Sequence, residues 1–333
     1  MKTVALFLLS LFSMQLMFAQ DPVFTQFYAA PILINPSFAG SVGAPRIGVG
    51  YRNQWNGNNY KLSTSFVSLD NWFESINSGV GLSLTNQKEA LSNYNFTQIN
   101  LSYAYHLKLS EKLTFFPGIS FGYGTKSYNF QNLVLGDQIN VFNGNIYPVS
   151  VDPYAENDRV NFLDISVGGV FYMKYAWLGI SLKHLNKPNI SFLDDETLPL
   201  PLLFSIHGGY QFVLNSNDKT SFLPTESFLF LTFNYMDQDV YNRLDLGAEI
   251  QLSDFYVGVL ASSQVVKIEA DADIFLSINP LIGLQIKNFK LGLSYDFPIS
   301  SIGNVGGTGE ITILYTIGKN DKKYRERLWQ VKN

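Results

Sequence analysis

Apolar and polar residues alternate in this sequence over runs of about ten residues, and no other feature limits its fold as strongly. In the run 243–253, Leu, Ala and Ile occupy every second position, and Arg, Asp, Glu, Gln and Gly stand between them. The run 98–107 repeats the pattern, with Ile, Leu and Tyr on one face. Successive side chains of a strand point to opposite faces, so each run has one apolar and one polar face. The pattern predicts β-strands.

Runs of this kind extend over most of the chain and predict an all-β fold. Pro224 and Pro280 interrupt the ninth and twelfth runs, and proline cannot donate a hydrogen bond to a β-ladder. We predict about fourteen strands, at 45–54, 60–70, 78–86, 95–108, 112–125, 160–173, 175–186, 202–214, 220–236, 240–252, 254–264, 271–286, 288–298 and 308–317.

The lengths of the connections indicate how these strands are arranged. The short connections, such as 110–111, 253–254 and 287–288, follow even-numbered strands, whereas the long ones, 126–159 and 187–201, follow odd-numbered strands. Outer-membrane barrels sort their loops in this way, with short periplasmic turns and longer outer loops. We therefore predict a transmembrane, antiparallel, up-and-down β-barrel with both termini in the periplasm. The segment 71–77 is longer than a turn and is the exception. A β-sandwich or a β-rich repeat is the alternative.

Composition agrees with a membrane location. Only 15% of the residues are charged, against roughly 25% in ordinary soluble domains. The formal net charge of -4 argues against nucleic-acid binding, which needs a basic face. The chain contains no cysteine, which excludes thiol catalysis, cysteine-bound zinc and disulfides.

The chain divides into four predicted parts. Residues 1–19 are a signal peptide, with Lys2 before an apolar core that is shorter than the roughly 20 residues of a spanning helix. An N-terminal membrane anchor is the alternative. Residues 20–43 are a periplasmic pre-barrel segment, 44–317 are the barrel, and 318–333 are a charged periplasmic tail. The pre-barrel segment either plugs the periplasmic mouth or docks a periplasmic protein. We therefore expect export to the bacterial outer membrane, with its lipid around the barrel.

Charges of both signs fall on the predicted inward faces, which suggests ion pairs across the lumen. A selective channel and a plugged interior both fit such charges. The plugged interior is favoured because a dedicated pore usually shows one dominant sign at its constriction. The predicted lumen network is Arg243, Asp245, Glu249 and Asp296, and further inward charges are Arg46, Arg52, Asp164, Lys183 and Glu310.

The sequence shows no catalytic, cofactor-binding or metal-binding motif, and we do not expect an enzyme. The histidines lie on separate strands, and strand parity places His106 inward and His184 outward. A Ser–His–acid hydrolase site that includes one of the three, His106, His184 or His207, is an alternative, although no serine is singled out. The acidic run 194–196 lacks the spacing of a calcium loop and is better explained as a solvated loop.

The two long outer loops contain aromatic and apolar residues of the kind that protein interfaces use. The alternative is that these loops fold back and cap the lumen. The predicted partner-binding residues are Tyr128, Phe130, Tyr147, Tyr154, Phe192 and Leu198.

The segment after the predicted signal peptide is distinctive. It reads Thr-Gln-Phe-Tyr at 25–28 and Asn-Pro-Ser-Phe-Ala-Gly at 35–40, and Tyr-Arg-Asn-Gln-Trp follows at 51–55. These motifs, with Ser-Leu-Lys-His-Leu-Asn at 181–186 and Gly-Thr-Gly-Glu-Ile at 307–311, resemble the PorP/SprF family of type IX secretion membrane proteins of Bacteroidota. Gly309 stands where the family usually has histidine. The motif residues carried over from the resemblance are Asn35, Pro36, Gly40, Arg52, Trp55 and Glu310.

The resemblance implies a role in type IX secretion or in the gliding machinery. Family members are typically partners of large secreted adhesins, whose C-terminal signal domains they help to export or hold at the surface. One branch contacts periplasmic ring proteins of the core apparatus. The resemblance thus implies a partner and surface anchor for a secreted adhesin. The alternative function is a channel or transporter for small or hydrophobic solutes.

Overall fold

The computed structural model describes residues 21–55, 61–90, 92–128, 134–151, 158–193, 195–216, 218–265, 275–299 and 306–318. The predicted signal peptide, and the predicted tail apart from residue 318, lie outside these residues.

The predicted barrel is confirmed: fourteen antiparallel strands form one closed sheet. Residues Leu107–Lys108 continue β4 after a break at His106. The strands are β1 Arg46–Gln54, β2 Leu62–Phe73, β3 Ser78–Glu89, β4 Asn95–Tyr105, β5 Thr114–Ser127, β6 Arg159–Tyr172, β7 Ala176–Lys183, β8 Leu203–Asn215, β9 Ser227–Gln238, β10 Tyr241–Leu252, β11 Phe255–Ser263, β12 Phe275–Ile286, β13 Phe289–Pro298 and β14 Thr308–Thr316.

The barrel closes where β1 pairs with β14. This ladder runs from Arg46 opposite Thr316 to Asn53 opposite Gly309. Every other neighbouring pair of strands is consecutive in the chain. Closure leaves no sheet edge, so the backbone groups of the wall can pair without water, as a membrane requires.

Two of the differences between the observed and the predicted strand boundaries have a clear local cause. Strand β9 begins at Ser227 rather than 220, because Pro224 lies in the connection 216–226, which is therefore longer than predicted. Strand β2 continues to Phe73, so the long segment 71–77 shrinks to a turn around Glu74–Ile76. Pro280 stays inside β12, and the β12–β13 ladder skips the pairs beside it, as expected for a residue without an N–H.

The two faces of the wall differ as the alternation predicted. Outward side chains such as Leu101, Leu246 and Ile282 are exposed, whereas inward ones such as Ser102 and Asp245 are buried. Lipid covers an apolar outer face of this kind in a membrane barrel. The described residues contain no helix with the length and apolar character needed to cross a membrane.

The segment before β1 lies inside the barrel and fills its lumen, although the sequence placed it in the periplasm. We call residues 21–44 the plug. It forms three short 3-10 turns, Phe27–Ala29, Pro31–Leu33 and Pro36–Phe38. Asp21 contacts Lys183 and Gln238 at the end of the barrel that carries the long loops, which is the extracellular end.

The plug descends from there to Pro45, whose carbonyl accepts a hydrogen bond from Ile317 at the periplasmic end. The location has a physical cause, since the apolar side chains of Phe24, Phe27 and Phe38 are buried against the wall.

Candidate functional site

The first contact between plug and wall is a buried cluster of charges in the extracellular half of the lumen. The guanidinium of Arg52 on β1 lies 2.7 Å from a carboxylate oxygen of Asp296 on β13 and 3.0 Å from one of Glu310 on β14. The hydroxyl of Thr25 donates to Asp296 and accepts from Arg52 at 2.6 Å. Two family-motif residues, Arg52 and Glu310, thus meet across the seam of the barrel. Trp55, also in the motif, follows β1 with a left-handed backbone, φ 61°.

Gln26 extends this contact along the wall. Its side-chain amide donates to Ser294 at 3.2 Å, and its side-chain oxygen accepts from Thr312 at 2.7 Å. A Cβ on Gly292 would lie 2.0 Å from that oxygen, so glycine is needed for Gln26 to approach β13 this closely.

The second contact is the turn Asn35–Pro36–Ser37, which belongs to the family motif. The Asn35 side chain caps the turn by accepting from the Ser37 amide at 2.9 Å, and it donates to the carbonyl of Ile180 at 3.0 Å. Two wall glycines allow this approach: a Cβ on Gly118 would lie 2.5 Å from the Ser37 nitrogen, and one on Gly168 would lie 2.0 Å from the Asn35 oxygen.

The third contact, at the periplasmic end, involves Gly40 of the same motif. Its backbone has φ 66°, and its amide donates to Asp70 at 3.0 Å. Asp70 also binds Arg46 at 2.8 Å. Added Cβ atoms on Gly40 and Gly79 would collide with the facing backbone, so the chains touch here because both residues lack side chains.

The fourth contact holds the extracellular end of the plug. Asp21 accepts from His184 at 3.0 Å and from Lys183 at 3.3 Å, and His184 also contacts Asp164 at 2.9 Å. The prediction that His184 points outward was wrong. His184 follows the last residue of β7 with φ 60°, and this left-handed backbone turns its side chain inward against the parity of the strand.

The charges of this contact stabilise each other. Burial alone would raise the pKa of Asp21, but His184 and Lys183 outweigh it and lower that pKa below its ordinary range. Burial alone would lower the pKa of His184, but the negative charges of Asp21 and Asp164 and their hydrogen bonds raise it from 6.5 to about 9. His184 is therefore a cation in the folded barrel at neutral pH.

This raised pKa predicts a pH dependence of stability. The contribution of His184 is complete below pH 6.5, where the histidine of the unfolded chain is also charged, and it is lost as the pH rises through about 9. Its size is on the order of 3 kcal/mol. Urea unfolding followed by tryptophan fluorescence in detergent micelles, at pH 6 to 10, should show the decline.

The matched variant is His184→Gln. It should be less stable than the wild type at pH 6 and lose the difference by pH 10, because glutamine does not titrate. A constant difference across this range would contradict the assignment.

The predicted lumen network consists of separate pairs in the structure. Arg243 binds Asp245 on its own strand at 2.8 Å, and Glu249 binds Lys290 at 3.2 Å, while Asp296 pairs with Arg52 as described. The inward placement of these charges agrees with the alternation. Their partners depend on the offset between neighbouring strands and on the plug, which the alternation does not encode.

The three histidines contact the plug or its seat. His106 stacks between Trp72 and Phe116, and its Nε2 lies 3.4 Å from the carbonyl of Ala39. His207 is fully buried, with Asn35 at 3.2 Å and Ser205 at 3.3 Å. Within the described residues, no group of three or more His, Asp or Glu side chains is placed to hold a metal ion. Asp194 of the acidic loop lies outside them.

The loop between β7 and β8 folds back over the lumen. Ile190 and Leu200 are buried against the inward-facing Phe96 and Phe162. The predicted partner residue Phe192 packs on Tyr128 with ring centroids 5.3 Å apart, which joins the two long loops. Leu198 is 40% exposed. This loop therefore caps the lumen, which is the alternative to partner binding that the sequence left open.

The loop between β5 and β6 has the opposite character over residues 134–151. Some of its polar side chains bond within the loop: Asp137 accepts from the Ser150 hydroxyl and the Val151 amide, and the Gln138 side chain donates to the carbonyl of Tyr147. Predicted partner residue Tyr147 is 51% exposed, and Phe130 and Tyr154 lie outside the described residues. The apolar side chains point to solvent, namely Val134, Ile139, Val141, Phe142, Ile146, Val149 and Val151, with Phe142 97% exposed.

Two small cavities lie beside the plug among the described residues. One of about 50 Å³ lies between the plug and β3–β7, with Asp164 and Lys183 in its lining. A mainly apolar cavity of about 40 Å³ lies on the side of β8–β10, between Phe24, Leu33 and Met236. Each holds a few water molecules at most.

The sequence matches the family described as "Type IX secretion system membrane protein PorP/SprF" over residues 16–315. A comparison with curated proteins found no match. Among solved structures, the barrel is similar to the CymD monoaromatic hydrocarbon channel, with 11% identity over 87% of this chain and 93% of that one, and a TM-score of 0.50.

Two further similar structures are the toluene transporter TodX of Pseudomonas putida (10% identity, 89% of this chain, 98% of that one, TM-score 0.46) and Omp33 of Acinetobacter baumannii (6% identity, 82% and 98%, TM-score 0.45). At these identities the likeness concerns the fold alone.

Proposed function

Since the chain belongs to the PorP/SprF family of type IX secretion system membrane proteins, we propose that it binds a secreted adhesin-like protein and anchors it at the cell surface. The chain is an outer-membrane barrel component of type IX secretion. The finer role, as partner of an adhesin or of its C-terminal signal domain, is the proposal. It is a binding role without catalysis.

The filled lumen supports an anchor rather than a conduit. The plug makes contacts at both ends of the barrel, from Asp21 to Gly40, and the two cavities described beside it have room for a few waters only. A folded protein cannot pass through such a lumen, so a secreted partner has to be held outside it.

The observation that carries the proposal is the row of exposed apolar side chains on the outer loop 134–151. A loop that needed only to stay in water has no use for so many of them. Here Asp137, Gln138 and Asn140 bond within the loop, and Val141, Phe142 and Val151 are left in solvent. Burying one such side chain in a partner is worth roughly 1.5 to 3 kcal/mol. Aromatic residues placed in this way are typical anchors of protein interfaces.

We predict that Phe142→Asp reduces recovery of the secreted partner at least about tenfold, the factor that corresponds to losing 1.4 kcal/mol of binding free energy. The measurement is affinity purification of the tagged barrel from native outer membranes, followed by quantitative mass spectrometry. The matched control is Phe222→Asp, because Phe222 is 100% exposed in the periplasmic connection 216–226.

The pattern of losses separates the possible partners. Loss of a large secreted protein with Phe142→Asp alone supports the proposal. Loss of periplasmic ring proteins with Phe222→Asp alone points to the core machine of secretion or gliding. Equal recovery of every partner with both variants contradicts an anchoring role.

A channel for small hydrophobic solutes is the second candidate, and the apolar cavity beside the plug is the observation that favours it. Uptake of a monoaromatic hydrocarbon by liposomes containing the purified barrel tests this function. Uptake no faster than in empty liposomes would exclude it.

A further inference from the structure

The seam between β1 and β14 differs from the other strand pairs because no turn joins its two strands. Arg52 on β1 and Glu310 on β14 are direct partners in the ladder. With Asp296 on β13 they form a cluster of one guanidinium and two carboxylates. All three side chains are at least nine-tenths buried. The seam alone therefore leaves an excess negative charge inside the wall, which is unfavourable.

The plug supplies what this cluster lacks. The backbone amides of Thr25 and Gln26 donate to the two oxygens of Glu310 at 2.9 and 2.8 Å. The Thr25 hydroxyl donates to Asp296 at 2.8 Å while it accepts from Arg52. Hydrogen bonds to an ionised carboxylate are among the strong ones. One residue of the plug thus touches the first strand and the last two strands together.

The hydrogen bonds of Asn35 and Gly40 lie away from this seam. Asn35 binds β6–β8, and Gly40 binds β2, so each reaches strands that turns already connect. Among the polar contacts of the described residues given above, the docking of Thr25 and Gln26 is the one that spans the place where the two ends of the wall meet.

We propose that the plug is the lock of the β1–β14 seam. With Thr25 and Gln26 docked, the charges of Arg52, Asp296 and Glu310 are satisfied and the first and last strands hold together. With them withdrawn, the same charges weaken that one strand pair. The inference does not rest on the proposed anchoring function.

The test uses Thr25→Val, which removes the hydroxyl and keeps the shape. It is combined with a cysteine pair across the seam, Val49→Cys and Ile313→Cys, which are outward-facing partners in the ladder. The chain has no cysteine of its own, so the introduced disulfide is unambiguous. Unfolding temperatures come from heat-dependent mobility in SDS electrophoresis, with and without reductant. The unfolding temperature of Thr25→Val should be several degrees below that of the wild type, and the oxidised seam pair should restore it.

Two controls make the result specific. The first is a second cysteine pair, Val67→Cys and Leu84→Cys, which joins β2 and β3 at an outward position. The second is Asn35→Ala, which weakens the plug away from the seam. We expect the seam disulfide to restore the unfolding temperature of Thr25→Val. The β2–β3 disulfide should not restore it. The seam disulfide should not restore the unfolding temperature of Asn35→Ala.

Folding of Thr25→Val only with the seam cross-linked would also support the lock. Rescue by both disulfides alike, rescue of Asn35→Ala by the seam disulfide, or an unchanged unfolding temperature of Thr25→Val would each overturn it. Failure of Thr25→Val to fold with either disulfide would overturn it as well.

Discussion

Replacing Arg52 with alanine is expected to lower the free energy of unfolding by about 3 to 5 kcal/mol, the usual cost of removing one partner of a buried ion pair. Asp296 and Glu310 would keep their negative charges inside the lumen without the guanidinium that now lies 2.7 and 3.0 Å away. Urea unfolding of the refolded barrel in detergent, followed by tryptophan fluorescence, measures the loss.

The control for this variant is Arg159→Ala, because Arg159 is exposed at the end of β6. Its effect should stay within about 0.5 kcal/mol. A triple variant, Arg52→Met with Asp296→Asn and Glu310→Gln, should regain part of the lost stability, since it removes the uncompensated charges as well. A triple variant less stable than Arg52→Ala would contradict the electrostatic explanation.

Replacing Gly118 with alanine is expected to detach the middle of the plug and let ions through the barrel. The added Cβ would lie 2.5 Å from the nitrogen of Ser37 and 2.6 Å from its Cα, and neither backbone atom can rotate away. Overpacking of this kind costs about 1 to 3 kcal/mol. Single-channel recording in planar bilayers should show steady conductance for the variant and a closed baseline for the wild type.

The same substitution at Gly309 controls for the change from glycine to alanine in a strand, because no atom lies within 4 Å of a Cβ there. Gly309→Ala should remain closed. If Gly118→Ala also showed no conductance but unfolded more easily than the wild type, the added methyl group would have displaced the wall of the barrel rather than the plug.

The strands could be predicted from the sequence because their signal is local. A side-chain period of two, imposed by lipid on one side and lumen on the other, determines each strand and its faces. The start of β9 could not be predicted, since the stretch around Pro224 contains no alternation of period two. The direction of the His184 side chain was predicted wrongly for a related reason. Strand parity assumes an extended backbone, and the neighbouring residues carry no sequence signal for a left-handed backbone at His184.

The contacts of the plug could not be predicted by the same reasoning. Thr25 and Glu310 are separated by 285 positions, and Asn35 and His207 by 172. Alternation says that Glu310 faces inward but not which group it meets there. The resemblance to a family marked Asn35, Gly40, Arg52 and Glu310 without a reason. In the structure all four are contacts between the plug and the wall. Thr25, which the sequence offered only as part of the resemblance, binds Arg52 and Glu310, and Asp70, which binds Gly40, had not been singled out.

The descent of the plug through the lumen changes how the chain crosses the membrane. Fourteen strands alone would return the chain to the side from which it started. The plug adds one more pass along the barrel axis, so the passes are odd in number and residues 21 and 318 lie at opposite ends of the barrel. A reporter group at residue 21 would therefore lie inside the lumen near the extracellular end, and one at residue 318 would lie at the periplasmic end.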